Sequence, residues 1–217
     1  MTSYKRNQVE QAIGLVLEPR SQEPSPELRT RLKRLLETDR AHGRSTRASD
    51  PELSNYAFYS AEAPGSGVEI WFSKYEAFAL LIGHQMMRHG WPQGFAVSLL
   101  RRARSEMEKE HARIMTLNPA EIFDQETIKR NARAGDFAFD TTVPVLFTIA
   151  SKSANSGSNS PELIDCAICQ SAAEAMKWAW KTTRGAYGLT LFELTTVAHH
   201  LARTLDETEP RGRGRSL

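Results

Sequence analysis

Apolar residues return at helical spacing at the start of the chain. Val9, Ala12, Ile13, Val16 and Leu17 recur at i, i+3, i+4, i+7 and i+8, which predicts a short helix over Asn7 to Leu17. Pro19, Pro24 and Pro26 then interrupt the pattern. Ser25-Pro26-Glu27 reads as an N-cap followed by proline at the first helical position. The helix it opens is expected from about Pro26 to Ala41. Leu28, Leu32, Leu35 and Leu36 fall on one face, the arginines on the other, and Gly43 is the stop. Arg44 to Ser54 is polar and reads as a mobile linker.

The period then shortens. In NYAFYS, Ala57 and Tyr59 alternate with Phe58. In GVEIWFS, Val68, Ile70 and Phe72 alternate with Glu69 and Trp71. With Pro64-Gly65-Ser66-Gly67 as the turn, Asn55 to Ser73 is expected as a β-hairpin. Ser73 and Glu76 have capping-box spacing for the next helix, which buries Phe78, Leu81, Ile82 and Met86 and ends at Gly90. Trp91-Pro92 turns the chain into a helix from about Gly94 to Met115, with Ala96, Leu100, Ala103, Met107 and Ile114 as its apolar stripe.

Asn118-Pro119 opens a further helix, expected from Pro119 to Ala134. Val143 to Ser151 is apolar and β-branched and predicts a buried strand. Lys152 to Pro161 is a loop of small polar residues, and Leu163 to Cys169 is a second strand. Two helices, Ser171 to Gly185 and Thr190 to Glu207, are expected to close the fold. The class is therefore α+β and mostly helical. The expected boundary near Thr116-Leu117 leaves a small α+β half over 117–207, for dimerisation or sensing, and a basic disordered tail over 208–217.

At 217 residues the chain suits one domain or two small ones. No apolar run approaches the roughly 20 residues that span a bilayer. The opening MTSYKRNQVEQAIG has no apolar signal region. A cytoplasmic protein with no membrane partner is the expectation. The net charge of +2 does not by itself mark a nucleic-acid binder, but its distribution is uneven. Arg29, Arg31, Lys33, Arg34, Arg40, Arg44 and Arg47 face only Glu37 and Asp39 in the same stretch, and Arg211, Arg213 and Arg215 close the chain. Clustered cations attract phosphates by releasing counterions. A solvated face and a free tail account for the same clusters.

The order helix, helix, hairpin, helix pair resembles the winged-helix DNA-binding domain of the MerR family of transcription regulators. Glu27-Leu28-Arg29 approximates that family's recognition-helix start. Gly67-Val68-Glu69-Ile70-Trp71-Phe72-Ser73 matches its wing end, with Glu69 where the family carries a phosphate-meeting arginine. Met86, Gly90, Trp91 and Pro92 fill the helix-pair bend, and Leu99-Leu100 fall where the family keeps apolar residues. The resemblance covers residues 1–116. It implies a homodimeric, non-enzymatic DNA-binding regulator in which Arg29, Arg31, Lys33 and Arg34 meet phosphates and base edges, with Ser66 and Lys74 flanking the wing.

Other constellations compete with that expectation. Cys166-Ala-Ile-Cys169 has the spacing of a zinc or redox pair. In a strand, however, residues three apart point to opposite faces, and two core thiols is the simpler reading. His199 and His200 are adjacent, and His84 and His89 are five apart, so neither pair suits one metal, and no cofactor is expected. His111 is expected at the surface. One of Trp178 and Trp180 is expected in the core and the other outside. Phe192, Leu194, Val197, Leu201 and Leu205 form a stripe for core or dimer contact. No glycine-rich phosphate loop and no G-x-S-x-G nucleophile turn occur, so the chain is expected not to be an enzyme. The rival function is a protein-interaction module using the same basic helix and wing, and a thiol redox or zinc protein stands third.

Overall fold

The structure is a computed structural model that describes residues 2–21, 23–63, 68–135, 139–152, 162–183 and 188–210. In chain order these form β1 (Tyr4–Lys5), α1 (Arg6–Leu17), α2 (Pro26–His42), α3 (Pro51–Ser54), β2 (Trp71–Phe72), α4 (Lys74–Arg88) and α5 (Gln93–Ile114). Then follow α6 (Pro119–Ile122), α7 (Gln125–Asn131), β3 (Leu146–Lys152), β4 (Glu162–Cys169), α8 (Ala172–Thr183), β5 (Gly188–Glu193) and α9 (Thr195–Glu207). The fold is the expected α+β, mostly helical class. Among the described residues no helix is long and apolar enough to cross a membrane.

The chain divides into two compact units, one running to Arg104 and resuming at His200, the other Ser105–His199. The expected boundary near Thr116-Leu117 thus shifts into α5, and the end of α9 returns to the first unit. Thr208, expected at the head of a free tail, is anchored. Its carbonyl accepts from Gln8 Nε2 at 2.6 Å and its hydroxyl donates to the Thr204 carbonyl. Residues 211–217 lie outside the described residues.

In the first unit, α1, α2 and α4 pack on one another. The expected apolar faces are the buried ones: Val9, Ala12 and Ile13 on α1, and Leu28, Leu32, Leu35 and Leu36 on α2. The Ser25 hydroxyl caps α2 by accepting from the Leu28 amide, and Gly43 ends it at φ +59°. Every residue of α4 from Tyr75 to His84 is buried, as expected of a helix surrounded on all sides. The Ser73–Glu76 capping box forms. Close packing demands small residues here. A Cβ on Gly14 would sit 2.9 Å from Pro24 Cβ, and one on Gly83 would sit 3.1 Å from Leu100 and 3.2 Å from Phe58.

The expected hairpin does not form. Ala57 to Tyr59 is not a strand, and Trp71–Phe72 pairs antiparallel with Tyr4–Lys5 instead. The reason lies in where the backbone polar groups go. The Ala57 and Phe58 amides donate to the Asp39 carboxylate at 3.1 and 2.9 Å. The Tyr56 and Tyr59 carbonyls accept from Arg104 Nη1 at 2.7 and 2.9 Å. Side chains from α2 and α5 therefore do what a partner strand would do, and the alternating apolar residues are buried on both sides. The two ends of the following segment meet at one carboxylate: the Ser60 and Ser73 amides both donate to Glu76. The turn residues 64–67, Ser66 included, lie outside the described residues.

The expected mobile linker is also organised. Asp50 caps α3, and the Glu52 carbonyl accepts from Arg101 at 3.0 Å. Arg101 is 2 % exposed and its partner Asp39 is 0 % exposed. Arg101 Nε donates to Asp39 Oδ1 at 2.7 Å, and Nη2 donates to the carbonyls of Asp39 and Gly43.

In the second unit β3 is the central strand of a three-stranded antiparallel sheet ordered β4-β3-β5. The helix α8 covers the face formed by Leu146, Ala167, Cys169 and Leu191. β5 replaces the first residues of the last expected helix: Leu191 and Phe192 pair with Thr148 and Phe147. The expected helix Pro119 to Ala134 is two short ones, because Asp124 accepts from the Thr127 amide and so caps a new start. His111, expected at the surface, is 6 % exposed, and its neighbour Glu110 is buried with it. Glu110 accepts from Arg113 and from Gln170 Nε2.

The buried pair makes a prediction. Asp39→Ala leaves the Arg101 guanidinium without its counter-charge and should cost about 3–5 kcal/mol in urea-induced unfolding. The double replacement Asp39→Leu/Arg101→Met should recover only part of that loss, because the Ala57 and Phe58 amides still lack their acceptor. A single-mutant cost under about 1 kcal/mol would contradict the structural role given to the pair.

Candidate functional site

The outward arc of α2 carries five cations, Arg29, Arg31, Lys33, Arg34 and Arg40, against the two carboxylates Glu27 and Glu37. Helical spacing sorts four of these cations. Arg29 and Lys33 lie four apart on one edge, while Arg31 and Arg34 lie three apart on the other. Arg29, Lys33 and Arg34 are exposed and Arg31 is half-buried. Three of them hold carboxylates of their own. Arg29 lies 3.6 Å from Glu23, Lys33 lies 3.6 Å from Glu37, and Arg31 lies 2.5 Å from Glu27. Exposed pairs of this kind contribute only about 0.3–0.5 kcal/mol, so a polyanion displaces them at small cost.

Lys74 belongs to a different cluster. Its ammonium donates to Asp206 Oδ2 at 2.6 Å, and the Tyr4 hydroxyl donates to the other carboxylate oxygen. Burial, then the bond to Asp206, pushes the Tyr4 hydroxyl above the ordinary tyrosine range. Glu69, which stands where the resemblance expects an arginine, pairs with Lys5 at 3.1 Å. The structure thus brings together Arg29, Arg31, Lys33 and Arg34 on one helix and keeps Lys74 in a cluster of its own.

Arg31 also lines a polar cavity of about 250 Å³. The other walls are Glu18 after α1, Ser25, Glu27 and Leu28 at the start of α2, and His84 and Arg88 on α4. His84 is 4 % exposed, and among the described residues its Nδ1 meets no hydrogen-bond partner. Burial, then Arg31 and Arg88, push the imidazole pKa down from 6.5 to about 4, with Glu27 opposing. The ring is therefore neutral at pH 7 within a positive local field. Sequence reasoning considered His84 only as a metal ligand and passed over Arg88. The four-residue spacing of His84 and Arg88 on one helix was the available clue.

The thiols do not converge. Cys169 pairs with Leu146 in the sheet and Cys166 with Ile149, three positions on and so on the opposite face. Burial pushes the Cys169 thiol up, away from thiolate chemistry. Among the described residues no cluster of three or more His, Cys, Asp or Glu side chains is placed to hold a metal ion. Trp178 packs against the sheet cluster while Trp180 is 72 % exposed, the division expected of that pair.

No family model, curated protein or solved structure matches this chain.

The depressed His84 pKa fixes a pH dependence. Above about pH 6.5 the ring is neutral whether the chain is folded or not, and its contribution to stability is complete. Below 6.5 the unfolded chain takes up the proton first, so stability falls as pH drops towards about 4 and then levels. Nitrogen-15 NMR titration of the ring should give a midpoint near 4. A midpoint at or above 6.5 would refute the buried, cation-flanked placement.

Proposed function

We propose that this chain is a DNA-binding regulator without enzymatic activity, contacting duplex phosphates through the outward arc of α2. The observation that carries the proposal is the charge of that arc, an excess of three cations on one rigid helix. The hydrophobic side of α2 is held by Leu28, Leu32, Leu35 and Leu36, so the arginines are presented from a fixed scaffold. Arg29, Lys33 and Arg34 serve as phosphate contacts, and Arg40 extends the same surface one to two turns further along. The MerR-like reading keeps the helices α1 and α2 ahead of the helix pair α4 and α5, but α3 intervenes and β2 pairs with β1 in place of a hairpin wing. Two copies, acting as a homodimer in the cytoplasm, would present two such helices to successive half-sites.

A second reading is favoured by the existing pairs to Glu23, Glu27 and Glu37. A helix already matched to carboxylates can exchange them for those of an acidic protein.

Fluorescence anisotropy of labelled duplex DNA across a salt series separates the two. About four phosphate contacts give a log–log slope near −3.6, so affinity should fall by about a hundredfold between roughly 50 and 200 mM salt. Arg29→Gln/Lys33→Gln/Arg34→Gln should flatten that slope by about three while leaving the fold intact. No duplex binding by the folded protein at roughly 50 mM salt would remove the DNA reading.

A further inference from the structure

We propose that the cavity walled by Ser25, Arg31, His84 and Arg88 is a binding site for one small oxyanion of the phosphate class. The site stands apart from the DNA reading, because it sits at the start of α2 and against α4 and uses two residues, His84 and Arg88, that the DNA reading does not use. The volume, about 250 Å³, exceeds by several-fold the roughly 30 Å³ that one water occupies in the liquid. A tetrahedral anion with part of its hydration fits that space.

The donors come from three places in the chain. Arg31 on α2 is held at 2.5 Å by Glu27, which fixes its guanidinium and leaves further N–H groups to give. Arg88 lies one turn beyond His84 on α4, and its side chain is exposed. Ser25 Oγ accepts from the Leu28 amide at 3.2 Å, and its own proton is available to donate. His84 is 4 % exposed, and among the described residues its Nδ1 has no hydrogen-bond partner. A buried imidazole nitrogen without a bond is costly, and such groups call for a specific occupant or role.

The sign of the site follows from its charges. Arg31 and Arg88 face the ring from α2 and α4, and Glu27 and Glu18 face the cavity from α2 and the end of α1. At the imidazole the two cations prevail over Glu27. Beside the imidazole an anion meets two guanidinium groups against one carboxylate. The two carboxylates limit the affinity, which should be on the order of 1 mM. A bound anion also offsets the field of Arg31 and Arg88, so the ring becomes easier to protonate.

The test follows the His84 ring nitrogens of the full-length protein by nitrogen-15 NMR during titration with inorganic phosphate at constant ionic strength. A saturable shift is expected, together with a rise of about one unit in the His84 midpoint. Arg88→Gln, an exposed replacement that spares the core, should weaken the binding about tenfold, and Glu27→Gln should strengthen it. Three results overturn the proposal: no saturable shift up to roughly 50 mM phosphate, an unchanged affinity in Arg88→Gln, or a shift produced by duplex DNA but not by phosphate. The last outcome would make the cavity part of the DNA surface. Failure of duplex binding alone bears on the outer arc of α2 and leaves this site standing.

Discussion

The first unit is organised around one buried carboxylate. Asp39, at 0 % exposure, accepts from the Ala57 and Phe58 amides and from the Arg101 guanidinium. An isolated charge in that position would be costly by several kcal/mol, and only complete satisfaction makes it tolerable. The geometry then fixes three separate stretches at once. α2 ends where Arg101 reaches the Asp39 and Gly43 carbonyls, α3 is held by the bond to Glu52, and the segment from Tyr56 to Ser60 is threaded between Asp39 and Arg104. Apolar contact alone is non-directional and allows the segment after α3 to slide; these bonds allow one register.

The same network explains how much was legible beforehand. Helices declared themselves through local signals: the apolar spacing of α1 and α2, the Ser25 cap, the Ser73–Glu76 box and the glycines at 43 and 90, where φ is positive. Each of those operates within a turn or two. The hairpin failed because alternation in Ala57 to Tyr59 is compatible with burial on both sides, and the groups that satisfy its backbone come from Asp39 and Arg104. Arg101 and Arg104 stand in the run LRRAR and drew no expectation from the sequence. Their three-residue spacing beside the Leu100–Ala103–Met107 stripe was the clue that they turn inward. β5 was absorbed into a helix because its pairing with β3 spans some forty positions, which no local pattern reveals. On the candidate surface, four arginine and lysine positions of α2 were readable from composition. The cavity was not, since it requires Glu18, Ser25 and His84 to be neighbours.

Arginine does two unlike jobs in this unit. Arg101 and Arg104 are 2 % and 7 % exposed and donate to carbonyls, a carboxylate and a hydroxyl of the chain itself. They are struts, and planar forks suit that role better than lysine would. Arg29, Arg34 and Arg88 are exposed, and among the described residues Arg29 has a close carboxylate partner in Glu23. Composition counts these residues alike, and the difference between scaffold and surface is set wholly by tertiary position. That is why a net charge of +2 said so little about the protein.

The closure of the first unit by the end of α9 bears on the order of events during synthesis. Tyr4 is bonded to Asp206, and Gln8 to the carbonyls of Leu205 and Thr208, partners about two hundred positions away. A nascent chain that has emerged only as far as α5 possesses nearly all of that unit's helices but not the residues that cover β1 and the start of α1. The N-terminal strand can pair with β2 by then, but its bonds to Asp206, Leu205 and Thr208 must wait until the ribosome has delivered the last helix. A chain stopped before α9 therefore lacks these bonds, and its first unit is left unlatched at the N-terminal end.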